Sequence, residues 1–425
     1  MSSEEPEAVA PTRPSVFRHQ PLKGMYLFYQ LTSTLLVRLP IWLVRAVIPA
    51  LRPRRSWQVR RTVIVSAIKH YFTVIQKTGP LGKSPNYTAL NVDKGVLGEW
   101  IEPLPRSYVT GKLKEWAEVA DVHPVKLPGY WIHEDGSNIV MGAPPVPGEK
   151  VVYALHGGAY ISLSAHPSDP TASIARSLLT YIPSAHRSLS IEYRLSSTTP
   201  TTPTQVHPFP AALLDALTGY HHLTHTLGFA PSDIILEGDS AGGNLALALV
   251  RYLTEYHDSL PAGPIVDGTK KMGPPGHLIL SSPWADIGTS HHTPVSSIHT
   301  LSHIDYIATS RGNYAARAFT GPHGIDVANT NVYISPATLD PSVPQEGRFD
   351  SLSWPKTYIA CGGSETLRDS IRTVESLMKA DCGEERVRYC EKEDSVHDFL
   401  ALPSLGEPER GEVFREIGRW VEGKE

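Results

Sequence analysis

Cysteine is scarce. Three in 425 residues are too few for a disulfide framework, so nothing in the chain demands an oxidising compartment. A strong net charge is missing too. The formal charge is -4 at pH 7, from 39 Lys and Arg against 43 Asp and Glu, which excludes a chain built around nucleic acid. No uncharged apolar run of about 20 residues exists, the length a spanning helix wants. Residues 24–37 are uncharged, but Arg38, Pro40, Arg45 and Pro49 interrupt the apolar run that continues to Leu51. A secretory signal is not expected, because Glu4, Glu5 and Glu7 lead the chain and the apolar stretch comes late. The most telling absence is of acid: residues 8–92 contain no Asp or Glu.

That acid-free stretch carries thirteen Lys and Arg, whereas residues 93–425 hold 26 cations against 40 acids. A basic N-terminal segment is joined to an acidic body, an asymmetry that raises the question of a membrane or an anionic partner. Residues 1–20 are polar and are expected to begin disordered. Residues 21–110 are expected to form a basic, apolar, helical segment. Arg38, Arg45 and Arg52 recur every seven residues, which places them on one helical face. Residues 57–76 continue in helical period, with Trp57, Ile64, Ile68, Phe72 and Ile75 as the apolar stripe. Three readings stay open: a roof over an active site, a helix lying in a membrane interface through residues 24–76, or a spanning anchor.

The rest of the chain has what a large core needs. Apolar residues make up 41% and charged residues 19%, which excludes a disordered chain. The 37 prolines predict long ordered loops. From about residue 123, strand signals (125–132, 150–155, 188–193, 233–237, 277–281, 356–361, 386–390) alternate with helix signals (168–180, 210–227, 241–258, 366–380, 408–422). This rhythm predicts an α/β fold, with a mostly parallel central sheet and helices on both faces, occupying residues 111–425. Residues 196–208 form a Ser/Thr/Pro loop, and residues 285–335 look like an insertion near the site.

Gly238-Asp239-Ser240-Ala241-Gly242 is a G-x-S-x-G motif between a strand signal and a helix signal. A serine on so tight a turn needs small neighbours, and its hydroxyl stands clear as a candidate nucleophile. His156-Gly157-Gly158-Ala159-Tyr160 follows another strand signal. The glycine pair is either a simple turn or a source of backbone N–H groups for an oxyanion, with Gly157, Gly158 and Ala241 as donors. His156 is expected to hold that loop by hydrogen bonding, and Asp239 to support the motif. An acid and then a base should follow. Glu365 lies just beyond the strand signal 356–361, and Asp369 four residues on is expected to pair with an arginine. His397 follows the last strand signal. His221, His222 and His225 include a pair with zinc-ligand spacing, but no third ligand is nominated; a solvated helix face is expected and no metal.

Together these motifs resemble the hormone-sensitive-lipase-like branch of the α/β-hydrolases, the alpha/beta hydrolase fold-3 family. The resemblance runs from about residue 150 to 400, on HGGAY (156–160), EYRL (192–195), HPFPAALLDAL (207–217), GDSAGG (238–243), SPW (282–284), GGSETLRD (362–369) and VHDF (396–399). It implies the α/β-hydrolase fold with a helical cap partly from the N-terminus. It also implies Ser240 as nucleophile, His397 as base, Glu365 as the acid that orients it, and Gly157, Gly158 and Ala241 as oxyanion donors. The chain departs from the family pattern in four places. Ala159 stands where a third glycine is usual, and Glu365 where many members have Asp. The Ser/Thr/Pro loop separates YRL from HPFPAAL. Asp398 stands where glycine is more frequent, either adjusting the histidine's environment or facing solvent.

The expected function is a serine carboxylic-ester hydrolase acting on small hydrophobic esters, with no cofactor and no nucleic-acid partner. An acyltransferase using the same acyl-enzyme, or a non-catalytic binding protein on the same fold, are the alternatives. The expected location is cytoplasmic or on an intracellular membrane surface.

Overall fold

The computed structural model describes residues 15–424 apart from 80, 82–84, 93–94, 199–204, 267–268, 308 and 350–352. The expected disordered start therefore lies mostly outside the described residues, as does the middle of the Ser/Thr/Pro loop.

Eight strands form one sheet: β1 (Leu97–Ile101), β2 (Leu127–His133), β3 (Lys150–Leu155), β4 (Ala185–Ile191), β5 (Ile234–Asp239), β6 (His277–Ser281), β7 (Lys356–Gly362) and β8 (Val387–Lys392), in the spatial order β1-β2-β4-β3-β5-β6-β7-β8. β1 and β2 run antiparallel to their neighbours, and every pair from β4 to β8 is parallel. This is the mostly parallel sheet of the α/β-hydrolase fold. β1 belongs to it although it falls inside the segment 21–110 expected to be helical, so the sheet begins before residue 111. Its short run LGEWI carried too weak an alternation to announce a strand.

The central strands are apolar on both faces because helices cover both. Val151, Tyr153 and Leu155 of β3 point to one core with Leu236, Leu278 and Ile359. Val152 and Ala154 point to the other, with Ile235, Ile279 and Tyr358. Helix Ala241–Glu255 packs in the first core, and helices Ala172–Tyr181 and Glu409–Glu422 in the second. The parallel register sets Leu155 beside Gly238 and Asp239 beside Ser281. The strand ends thus line up, and the loops that leave them meet at one edge.

The N-terminal segment holds three helices, Leu22–Ser33, Leu39–Val47 and Val59–Thr78. A π-helical turn, Thr34–Arg38, joins the first two. The wider turn carries the chain past Pro40, which has no N–H for the α-helical ladder. Arg38 and Pro40 therefore do not break the helix: Leu22–Val47 is one apolar rod of 26 residues. Arg52 is not on the face of Arg38 and Arg45. It lies past the rod's end and donates to the carbonyls of Ala46 and Trp57. Of the rod's residues only Ala46 is buried, while Phe28, Leu36 and Val47 are exposed. Helix Val59–Thr78 behaves differently. Trp57, Val65, Ile64, Ile68 and Phe72 pack with Ile304, Tyr306, Val396 and Leu405 in a third apolar cluster.

Candidate active site

Ser240 sits between β5 and helix Ala241–Glu255 with φ 50° and ψ −114°, a region L-residues rarely occupy. The turn is held by Ser240 N–H donating to Ser281 O (2.9 Å) and Trp284 N–H donating to Ser240 O (2.8 Å). Glycine at 242 is a matter of space: a Cβ there would lie 1.8 Å from Leu155 O. Strand, turn and helix can cross this closely only without that side chain.

The structure brings Ser240, His397 and Glu365 together. His397 Nε2 lies 3.0 Å from Ser240 Oγ, and Nδ1 lies 3.5 Å from Glu365 Oε1. Glu365 is fully buried, and its other oxygen accepts from Ser282 Oγ (2.6 Å) and Gly362 N–H (2.7 Å). Asp369 stays out of this group. It pairs with Arg368 (3.3 Å) and accepts from Ser297 N–H (2.7 Å). Burial alone would depress the imidazole's pKa, but the carboxylates of Asp398 and Glu365 outweigh it and hold His397 well above its ordinary value.

The oxyanion assignment needs one correction. Gly157 N–H donates to Asp239 Oδ1 at 2.9 Å, so that donor is spent on a buried carboxylate. Among the described residues, the N–H groups of Gly158, Ala159 and Ala241 meet no acceptor. Gly158, Ala159 and Tyr160 all have positive φ. His156 holds this loop: Nδ1 bonds to Gly157 O (2.8 Å) and the ring stacks on Tyr193 at 4.2 Å. Burial pushes its pKa down to about 4, so the ring is neutral. Nearby Glu192, pushed up to about 7 by burial, accepts from Ser164 Oγ at 2.5 Å.

Three neighbours were not read as site residues. Ser282 Oγ joins Glu365 to the loop of His397 by also accepting from Asp398 N–H (3.1 Å). Asp305 accepts from the N–H groups of Thr366 (2.8 Å) and His397 (3.4 Å), so one buried carboxylate ties both loops. Burial, with Glu365 close by, lifts Asp305 to about 6 against the pull of His397. Tyr306 donates to His397 O (2.8 Å) and stacks on Phe72 of the N-terminal segment. The SPW motif marked Ser282; nothing in the sequence marked Asp305 or Tyr306. The same loops are gripped from the N-terminal side. Arg54 donates to Ser364 Oγ (2.9 Å) and pairs with Glu393 and Asp394, and Trp57 Nε1 donates to Asp394 O (2.9 Å).

The histidine triplet is not a solvated face. His222 is buried with Nε2 3.2 Å from Glu99, and His225 Nε2 lies 3.0 Å from Tyr108 OH while its Nδ1 meets Thr224 Oγ1. Their nitrogens are used in packing. Among the described residues, no group of three or more His, Cys, Asp or Glu side chains is arranged to hold a metal ion.

A mostly parallel eight-stranded sheet with a serine on its strand-to-helix turn, and a carboxylate and a histidine after later strands, defines an α/β-hydrolase. The chain belongs to the alpha/beta hydrolase fold family, which matches residues 151–401, in its hormone-sensitive-lipase-like branch, and is a hydrolase of the esterase and lipase class. It is 26% identical over 272 residues to the esterase LipU of Mycobacterium tuberculosis, covering 64% of this chain and 77% of that one. With steryl acetyl hydrolase 1 of Saccharomyces cerevisiae it shares 25% identity over 244 residues, 56% of this chain and 49% of that one. A hormone-sensitive lipase from a metagenome library superposes with a TM-score of 0.50 at 25% identity, over 70% of this chain and 82% of that one. The esterase EstE5 shares the fold at a TM-score of 0.52 and 21% identity, over 86% of this chain and 98% of that one.

Proposed function

We propose that this chain is a serine hydrolase of hydrophobic carboxylic esters that works through Ser240, His397 and Glu365. The observation that carries the reading is the 3.0 Å approach of His397 Nε2 to Ser240 Oγ on the strained turn. His397 takes the hydroxyl proton as Oγ attacks the ester carbonyl. The carbonyl oxygen, now negative, is held by the N–H groups of Gly158 and Ala241, with Ala159 beside them; one such donor is worth about 2.7–4 kcal/mol. Glu365 orients the imidazole and offsets its positive charge. The alcohol leaves with the proton from His397, and water activated by the same histidine releases the acid. Ser240→Ala should abolish both p-nitrophenyl acetate turnover and labelling by a fluorophosphonate. Persistent labelling would remove Ser240 from the mechanism.

We infer further that the apolar rod Leu22–Val47 seats the enzyme in a lipid bilayer. At about 1.5 Å per residue the rod is longer than the ~30 Å hydrocarbon core, and most of its apolar side chains, Phe28, Leu36 and Val47 among them, are exposed. The basic, acid-free flanks suit anionic lipid headgroups. Its substrates would then be esters that dissolve in lipid. The double variant Phe28→Glu, Leu36→Glu should lose sedimentation with phosphatidylserine-containing vesicles while keeping p-nitrophenyl acetate turnover. Undiminished sedimentation would refute the inference.

A further inference from the structure

Two groups meet at one nitrogen of His397. Ser240 Oγ lies 3.0 Å from Nε2, and Asp398 Oδ2 also lies 3.0 Å from Nε2. Glu365, the expected acid partner, is on the other side of the ring and at 3.5 Å. An imidazole nitrogen carries either a lone pair or a proton. With a lone pair, Nε2 can accept the Ser240 proton but faces the Asp398 oxygen repulsively. With a proton, it donates to Asp398 and is no longer a base for Ser240.

The position of Asp398 is built, not incidental. Its backbone has φ 49°, a conformation in which Asp and Asn are among the tolerated residues. Its N–H is anchored on Ser282 Oγ (3.1 Å). The side chain is 12% exposed, and its second oxygen, Oδ1, is buried without a partner. The oxygen that does have a partner is the one at Nε2.

We propose that Asp398 is a positioning residue that competes with Ser240 for Nε2 of His397 and holds the resting enzyme as a His397–Asp398 ion pair, from which the base must be released before Ser240 is activated. This rests on the roles proposed above for Ser240 and His397. The enzyme is thereby set to work on the alkaline side of an ordinary serine-histidine pair.

The surroundings agree with this assignment. Acting on the pair are Glu237 and Asp239 from β5, Glu365 from the loop after β7, and Asp305 and Tyr306 from the segment after β6. Asp169 adds its charge to that of Asp239. Burial raises Asp398, with Glu365 adding to the rise, and His397 opposes it. Asp398 is accordingly the acid of this cluster that meets the ring at Nε2, while Glu365 meets it at Nδ1.

The test is the pH profile of kcat/KM for p-nitrophenyl acetate between pH 5 and 10, on the full chain. Asp398→Asn keeps the shape and removes the charge. An opposite charge at this distance raises a pKa by roughly one to three units. The acid limb of Asp398→Asn should therefore move down by at least about one unit, making the variant about tenfold faster than the parent at pH values well below the parent's limb. Asp398→Gly, which the positive φ accommodates, should move the limb the same way and decides the matter if the Asn variant does not fold. Asp398→Glu should keep the parental limb. An unmoved limb in both neutral variants, or a uniform loss of rate at every pH, would overturn the proposal. Fluorophosphonate labelling separates this from the underlying reading. If Ser240→Ala is inert and the limb does not move, only the role of Asp398 fails; if Ser240→Ala still labels, the nucleophile itself was misassigned.

Discussion

Ser282 should matter to catalysis without touching substrate, because it is the hinge between the acid and the base. Its hydroxyl donates to Glu365 Oε2 at 2.6 Å and accepts from Asp398 N–H at 3.1 Å. Ser282→Ala removes a hydrogen bond to a buried carboxylate, about 1.5–3 kcal/mol, and leaves a buried N–H unpaired, about 1–3 kcal/mol. Part of this falls on stability and should lower the melting temperature by several degrees. The part that reaches the transition state is bounded by the carboxylate term, roughly a 10- to 100-fold loss in kcat at most. KM should change little, since no binding contact is removed. The deciding assay is a double-mutant cycle with Glu365→Gln, reading kcat on p-nitrophenyl acetate. If Ser282 acts through Glu365, adding Ser282→Ala to Glu365→Gln should cost far less than it costs alone. Strictly additive losses would show that Ser282 does not work through the acid, and the reasoning would fail.

Other outcomes follow from the same geometry. Glu365→Gln should lower kcat by orders of magnitude, whereas Asp369→Asn, which loses its charge pair with Arg368 but keeps an oxygen able to accept from Ser297 N–H, should leave it within a few-fold; the reverse order, by steady-state kinetics, would move the acid to Asp369. Gly242→Ala should fail to give soluble active enzyme, since its Cβ would collide with the Leu155 carbonyl at 1.8 Å; an active variant with an unchanged melting temperature would contradict the packing of the turn. Glu237 is buried with one oxygen unpartnered, and burial with Asp398 close by raises it well above the ordinary carboxylate range. The folded state then binds a proton that the unfolded state releases, so its stability contribution is full below about pH 4 and declines as pH rises toward the folded value. Glu237→Gln should therefore be more stable than the parent at pH 8 by a margin that shrinks at pH 5, measured by urea unfolding at both pH values.

The strands β2 to β8 and the helices signalled at 168–180, 210–227, 241–258, 366–380 and 408–422 were legible because each is a continuous periodic run; the helix Thr309–Thr320, inside the stretch read as an insertion, was not. The loops that follow strands also nominated Ser240, Glu365 and His397, and the structure brings those three side chains together. β1 was lost because five residues at a sheet edge give little pattern. The 26-residue rod was hidden by Arg38 and Pro40, which read as interruptions; a local π turn absorbed the proline. The charge asymmetry was visible at once, but which part of the basic segment is covered and which is bare was not. Helix Val59–Thr78 is packed against the loops of the site and the rod before it is exposed, although both are apolar.

What the sequence determined by itself is whatever depends on neighbours in the chain: the tight turn that presents Ser240, the glycine loop after β3, and the order in which Ser240, Glu365 and His397 follow their strands. The tertiary structure decided where individual polar atoms point. It turned Gly157 N–H onto Asp239 and, among the described residues, left the N–H groups of Gly158, Ala159 and Ala241 without acceptors. It brought Asp305 and Tyr306, some 90 residues before His397, against its loop. It also swung Asp398, a chain neighbour of His397, onto the same nitrogen that Ser240 approaches. The reason is one of range. Hydrogen bonds and ion pairs act over about 3 Å and are sharply directional, so they are set by how distant segments pack, and residue order does not encode that directly.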